Sequence, residues 1–266
     1  MTLTIYKRRI IALISSGYRF LINEGTAKGG LRILLYHAVG TRLPHDTYGI
    51  SVTRQAFLNQ MDALNMDKRV DIVSLNALMD RSLWRHNDGR LKVAITFDDG
   101  YRDVLRVAAP ILLGHGFPFT VFVTAGFVGR NASLYLDAKE LQTLSNLAGV
   151  SIGAHGMDHR RFTGLDNDHL RNDLVESRAT LETITGRKIE MLSYPHGKAD
   201  LRVRDASVAL GYRLGATSRF GVNRENGDPM MLRRTEIWAT DSENIFRQKY
   251  LGSWDWYCVY QRLRGM

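Results

Sequence analysis

Apolar residues fall along this chain in short runs, separated by longer stretches where they recur every three or four positions. The short runs read as strands buried on both faces and the longer stretches as amphipathic helices. The clearest run is Val93, Ala94, Ile95 and Phe97, within KVAITFDDG at Lys92–Gly100. A strand fits it, although periodicity by itself does not separate a buried strand from a buried helical segment. Upstream, RILLYHAVG reads as a strand ending in Tyr36 and His37, residues 40–53 as a loop, and Val70–Leu75 as a shorter strand. Downstream, Pro118–Gly129, Val150–His155, Ile189–Gly197 and Tyr212–Ser218 read as strands, and Met231–Trp238 as a last extended piece. Helical spacing marks Gln55–Met66, Asn76–Leu83, Tyr101–Leu113, Asp137–Leu147, Leu170–Thr185 and Val203–Leu210, with a mixed helical tail over Ser242–Arg264. Asn87-Asp88-Gly89 makes a turn into the central strand.

Strands alternating with helices predict a mainly parallel sheet. About seven strands suit either a barrel or a doubly wound sheet. His37, Asp98, Asp99, His155, Tyr194 and His196 all stand at or just past the C-terminal end of an expected strand. In a barrel those ends converge on one mouth, whereas an open sheet gathers ligands only around its switch point. The expectation is therefore an α/β fold, a distorted barrel of seven or eight β/α units in one domain. Residues 31–240 form its body, 1–30 an N-terminal segment and 241–266 a helical tail of the same domain.

Composition narrows this further. Of 266 residues, 44% are hydrophobic and 24% charged, which supports a sizeable core and argues against disorder. The net charge of +9 points to an anionic polymer or surface nearby, whether nucleic acid, membrane or acidic glycan. No nucleic-acid motif or long Lys/Arg block accompanies it, so no nucleic-acid partner is expected. A single cysteine, Cys258, excludes an intrachain disulfide and a thiolate zinc cluster. Lys7, Arg8 and Arg9 precede IIALISSGYRFLI and imitate a secretory signal, but Ser15, Ser16, Gly17 and Arg19 interrupt the apolar run. The run is also short of the ~20 apolar residues that span a bilayer. An amphipathic helix over Met1–Gly25 is expected, packed on the protein's own core or, as a peripheral contact, on an anionic membrane. The expected location is cytoplasmic or at the inner membrane, and periplasmic if residues 1–25 act as an uncleaved anchor.

Chemistry concentrates at two places. Asp98 and Asp99 are adjacent carboxylates followed at once by Gly100. Their burial is costly unless a cation or a shared proton relieves the repulsion. The alternative is a helix N-cap with a second acid favoured by the dipole. His155 and His159 stand as H-x3-H in GAHGMDHRRF, a spacing that converges two imidazoles on one helix face or through a tight turn. Two imidazoles and a carboxylate suit Zn²⁺ with positions left open, and Co²⁺ or Ni²⁺ accepts similar donors. With Asp99 as third ligand and Asp98 as base, both carboxylates could be charged together.

TFDDG, then H-x3-H after a strand, then Y-P-x-G, taken in that order over about residues 31–240, resembles the polysaccharide deacetylase family (NodB-homology, carbohydrate esterase family 4). The resemblance implies a metal-dependent hydrolase. Its substrate would be N-acetylhexosamine units of a bacterial surface polysaccharide or of its lipid-linked precursor. It also implies Asp98 as general base and Asp99, His155 and His159 as metal ligands. YHAVG with the Phe57–Leu64 helix is similar to the poly-N-acetylglucosamine deacetylase subgroup, which places His37 at the active site. Three features depart from the pattern. Gly156 stands where Ser or Thr is usual, Ser193 stands where many members have an Arg that orients the base, and no histidine follows His196 to serve as the usual Leu-x-His acid. Arg234 of LRRTEI is expected to supply the missing positive charge, with Arg233 second, and His37 and His196 remain as proton donors. Tyr194, Pro195 and His196 are expected to meet substrate, a backbone N–H near Tyr194 to stabilise the oxyanion, and Trp238 either to offer a sugar platform or to pack in the core. Rival readings are deacetylation of a small glycoside or an O-acetyl ester, and a glycan-binding pseudoenzyme. The intact Asp98, Asp99, His155 and His159 argue against a pure binder.

Overall fold

The computed structural model describes residues 30–44, 46–79, 89–131 and 133–263, together with Ser15 and Leu83. Apart from Ser15, the amphipathic helix expected over Met1–Gly25 lies outside the described residues, as does the Asn87-Asp88 half of the expected turn. The strands are β1 (Leu31–Tyr36), β2 (Ala38–Val39), β3 (Ser51–Val52), β4 (Val70–Ile72), β5 (Leu91–Phe97), β6 (Phe119–Val123), β7 (Val150–Ala154), β8 (Met191–Ser193), β9 (Leu214–Ala216) and β10 (Thr235–Glu236). The α-helices are α1 (Arg54–Met66), α2 (Ala109–Gly114), α3 (Ala138–Asn146), α4 (Asn167–Thr185), α5 (Leu201–Ala209), α6 (Glu243–Leu251) and α7 (Tyr257–Leu263).

Eight of these strands form one parallel sheet in the order β10-β1-β5-β6-β7-β8-β9, with β4 beside the start of β5. β5 is central, pairing with β1 along six registers and with β6 at its far end. Every residue of β1 and β5 is buried, because each strand has an apolar layer on both sides. Leu31, Ile33, Ala94, Phe122, Met191, Leu214, Ala216 and Leu232 form the inner layer. Leu34, Tyr36, Val93, Ile95, Phe97, Val121 and Val123 face outward, onto α1, α3 and α4. The two layers alternate by residue along each strand, as the pleat requires.

The sheet curls until its ends nearly meet. Ala216 of β9 is bridged in parallel to Leu232, and three residues later Thr235 pairs with Leu34 of β1. Leu232–Glu236 thus seals the distorted (β/α) barrel with few hydrogen bonds, and the extended piece expected at Met231–Trp238 is regular strand only over Thr235–Glu236. The helix expected at Tyr101–Leu113 opens as a π-turn over Val104–Ala108 before α2 begins, a difference that apolar spacing does not reveal. The tail is fastened to the barrel. Arg32 of β1, fully buried, donates to both carboxylate oxygens of Asp255 (2.6 and 3.1 Å) and to the Tyr250 carbonyl (3.1 Å). Among the described residues, no helix is long and apolar enough to cross a membrane.

Candidate active site

The alternation that builds the inner layer also aims the catalytic groups. On β5, Ala94 faces inward, so Thr96 and Asp98 do as well. Ser193 follows Met191 in the same sense on β8, and Arg234 follows Leu232 on the sealing segment. These side chains meet at the C-terminal end of the barrel. Arg234 is wholly buried and grips Asp98 through both guanidinium nitrogens, Nη1 to Oδ1 and Nη2 to Oδ2, each at 2.7 Å. Ser193 Oγ donates to Asp98 Oδ2 (2.9 Å) and accepts from Arg234 Nη2 (2.8 Å). Arg234 Nε is held by the Thr217 carbonyl at 2.8 Å. Burial by itself would raise the Asp98 pKa, but the charge of Arg234, then His155, then the guanidinium hydrogen bonds and His37 hold it well below the usual carboxylate range. Asp98 is an anion at neutral pH.

Asp99 turns the other way. Its φ of 71° is left-handed, which Asp tolerates better than most residues, and Gly100 follows at φ 80°. A Cβ at Gly100 would lie 3.0 Å from Val123 Cγ1. The turn directs Asp99 toward His155, at the end of β7, and His159. His155 Nδ1 lies 2.8 Å from the Ser193 carbonyl, which can only accept, so Nδ1 carries the hydrogen and Nε2 keeps its lone pair when the ring is neutral. His155 Nε2 and His159 Nε2 face Asp99 Oδ1 at 3.5 and 3.3 Å. Burial, then the neighbouring His155, push His159 down to about 4, which keeps its ring neutral at pH 7.

One donor atom from each of Asp99, His155 and His159 lies within 4.8 Å of the others. Asp99 Oδ1 is buried there without a hydrogen-bond partner, an expensive arrangement that a cation would relieve. The residues present therefore fit a divalent metal. The H-x3-H pair converges through a turn, since Gly156–Arg161 is not helical. Among the described residues, three non-glycine residues have positive φ, namely Asp99, His159 and His196, and all three line this site.

The remaining expected residues divide. His37 is half-buried, its Nδ1 lacks a partner, and its charge reaches Asp98. His196 is exposed on its outer side with its ring centroid 4.6 Å from that of His159, and partial desolvation of the ring, then the charge of Arg161, lower its pKa. Tyr194 does not meet the mouth. It faces the outer layer, one residue out of phase with Ser193, and its hydroxyl donates to the Met230 carbonyl at 2.9 Å. Its N–H is already given to the Ala216 carbonyl at 3.0 Å, so it is not a free oxyanion donor. Pro195 is buried beside it, which leaves His196 as the part of that stretch open to a substrate. Trp238 packs with Phe220, Trp254 and Tyr257 in a core cluster rather than offering a platform. Arg233 donates to the Phe220 carbonyl at 3.4 Å, and it is Arg234 that meets Asp98. In the sequence Ser193 marks only the place of a missing arginine, and its inward phase with Met191 is the signal that makes it a partner of Asp98.

Residues 85–215 match the family model described as polysaccharide deacetylase. Over 145 residues the chain is 26% identical to YxkH of Bacillus subtilis (strain 168), which bears the name of a polysaccharide deacetylase. That alignment takes in 54% of this chain and 51% of YxkH, so the chain spans about half the length of this relative. The fold is shared with PplD, a deacetylase of Streptococcus pyogenes solved in complex with acetate, at a TM-score of 0.73 and 22% identity, over 83% of this chain and 98% of PplD. IcaB from Ammonifex degensii superposes with a TM-score of 0.70 at 26% identity, over 85% of this chain and 97% of IcaB.

Proposed function

We propose, for a chain that carries a polysaccharide deacetylase domain over residues 85–215, that it removes N-acetyl groups from N-acetylhexosamine residues of a bacterial surface polysaccharide or its lipid-linked precursor. The observation that carries this reading is the division of labour between two adjacent carboxylates. Asp98 is locked to Arg234 and kept anionic, while Asp99 presents an unpartnered oxygen to two imidazoles. Asp99, His155 and His159 would hold Zn²⁺ or a similar divalent ion. When bound, that ion supplies Lewis acidity toward an acetyl oxygen and a lowered pKa for water.

Asp98 takes the proton as water attacks the amide carbon. Arg234 keeps it deprotonated beforehand and, with Ser193, holds its oxygens in one orientation. The departing amine needs a proton. His37 is assigned that role, because it is close enough to influence Asp98 and its Nδ1 is committed to no partner. His196, open at the mouth against His159, meets the substrate.

The test is acetate release from poly-N-acetylglucosamine fragments and chitooligosaccharides, with Zn²⁺ or Co²⁺ added or a chelator present, beside Asp98→Asn. Metal-dependent acetate that disappears in the variant supports the reading. Bound metal with no acetate from any glycan overturns the substrate class, and no bound metal overturns the centre itself.

A further inference from the structure

The turn from His155 to His159 must keep two imidazoles aimed at Asp99, yet its first residue after His155 is Gly156, which has no side chain with which to brace it. Gly156 is left-handed at φ 74°, and a Cβ there would meet Asp173 Oδ1 at 3.1 Å and the Phe162 ring at 3.2 Å. That space is filled from below by α4. Asp173 Oδ1 accepts the Met157 N–H at 2.7 Å. On its other side the turn is tied by its carbonyls. Ala125 N–H donates to the Gly156 oxygen at 3.0 Å and Gly126 N–H to the Met157 oxygen at 2.8 Å.

Asp173 is an anomaly on its helix. The buried face of α4 is Leu170, Asp173, Leu174, Ser177, Leu181 and Thr185, and Asp173 is its one acid. Its second oxygen, Oδ2, is buried without a hydrogen bond, and Arg160 Nη2 stands 3.8 Å away on a side chain about half exposed. An apolar residue would serve packing there at lower desolvation cost. What an apolar residue could not do is accept the Met157 amide.

Resting on the metal-centre reading above, we propose that Asp173 is a positioning residue for that centre. It touches none of the three ligands, but acts through the Met157 amide and fixes the turn on which His155 and His159 are mounted. Groups that orient ligands in this way are commonly worth about 10- to 100-fold in metal affinity.

The experiment measures Zn²⁺ affinity by competition with a chromophoric chelator, and the visible absorption of the Co²⁺-loaded chain. The proteins are the unaltered chain, Asp173→Ala, Asp173→Leu and Asp173→Asn, each with its metal-free thermal unfolding. Asp173→Leu fills the volume without the acceptor, and Asp173→Asn keeps an acceptor for Met157. The expected result is an affinity loss of about 10- to 100-fold in Ala and Leu, with an altered Co²⁺ spectrum, and near-normal binding in Asn. Folded Ala or Leu variants that bind like the unaltered chain overturn the inference, and so does an Asn variant that loses as much as they do. An unaltered chain that binds neither ion overturns the metal centre and this inference together, an outcome distinct from the other two.

Discussion

Replacing Arg234 by methionine tests the electrostatics of the site directly. The substitution keeps an unbranched side chain in a fully buried position but removes both 2.7 Å bonds to Asp98 and the bond to the Thr217 carbonyl. Hydrogen bonds to charged groups contribute about 1.5–3 kcal/mol each, and breaking a buried ion pair by deleting one partner costs about 3–5 kcal/mol. The second figure governs at neutral pH, because Asp98 would stay buried with Ser193 as its remaining neutral donor. The pH dependence is the sharper signature. In the unaltered protein the Asp98 pKa is depressed below its unfolded value, so its contribution is present above about pH 4 and lost as pH falls below that. Without Arg234, burial dominates and raises the folded pKa above the unfolded one. The variant's Asp98 then favours the folded state at low pH and loses that contribution as pH rises. The stability gap between the two proteins must therefore widen from about pH 4 to 8, with a smaller constant part from the orphaned Thr217 carbonyl. Urea unfolding of the metal-free proteins at several pH values reads the gap, and acetate release against pH reads the base, whose acid limb should move upward. Arg234→Lys, which keeps charge but not the fork, should fall between. A gap that is flat with pH, or an unmoved acid limb, would refute the assignment of Arg234 as the group that keeps Asp98 ionised.

Other features of the fold make separate demands. Asp103 accepts from the Val39 and Thr41 amides, and burial, only partly offset by hydrogen bonds from Thr41 and Val39, pushes it up to about 6. Its folded pKa is thus above its unfolded one, and stability is lost as pH rises from about 4 to 6, on the order of 3 kcal/mol. Asp103→Asn should therefore gain stability relative to the unaltered chain over that interval, and a constant difference in urea unfolding would count against it. Gly197 has φ 66° and a Cβ there would lie 1.8 Å from Ser218 Oγ, so Gly197→Ala should cost at least about 1–3 kcal/mol in thermal unfolding. A neutral result would show that the turn at His196 yields. Lys249, wholly buried, sits 3.6 Å from the Trp238 ring and 2.5 Å from Asp241. Lys249→Met should cost about 3–5 kcal/mol, and adding Asp241→Asn should recover more than about 1 kcal/mol of it in a double-mutant cycle. Strict additivity would mean that the two groups do not act as a pair.

What could be read from the chain follows from where each signal resides. Parallel strands covered on both faces appear as unbroken apolar runs, so β1, β5, β6 and β7 were legible, as were the polar groups at their ends. His155 and His159 were legible as spacing, but whether a helix or a turn converged them depends on left-handed backbone at His159, which spacing does not encode. The contact between Arg234 and Asp98 spans 136 residues and crosses the seam where the barrel closes, so no local pattern announces it. It was reachable only as a charge in need of a place. Tyr194 shows the opposite case, a side chain placed by strand phase and not by its position at a strand end. Because Met191 faces inward, Ser193 must too, and Tyr194 must then face the helices, where it is found. The same phase rule makes Asp98, Ser193 and Arg234 one unit drawn from three parts of the barrel wall. Each is buried, and each bonds to the other two. A change at any one removes a hydrogen bond from each of the other two, so its cost reaches the base that the proposed chemistry requires.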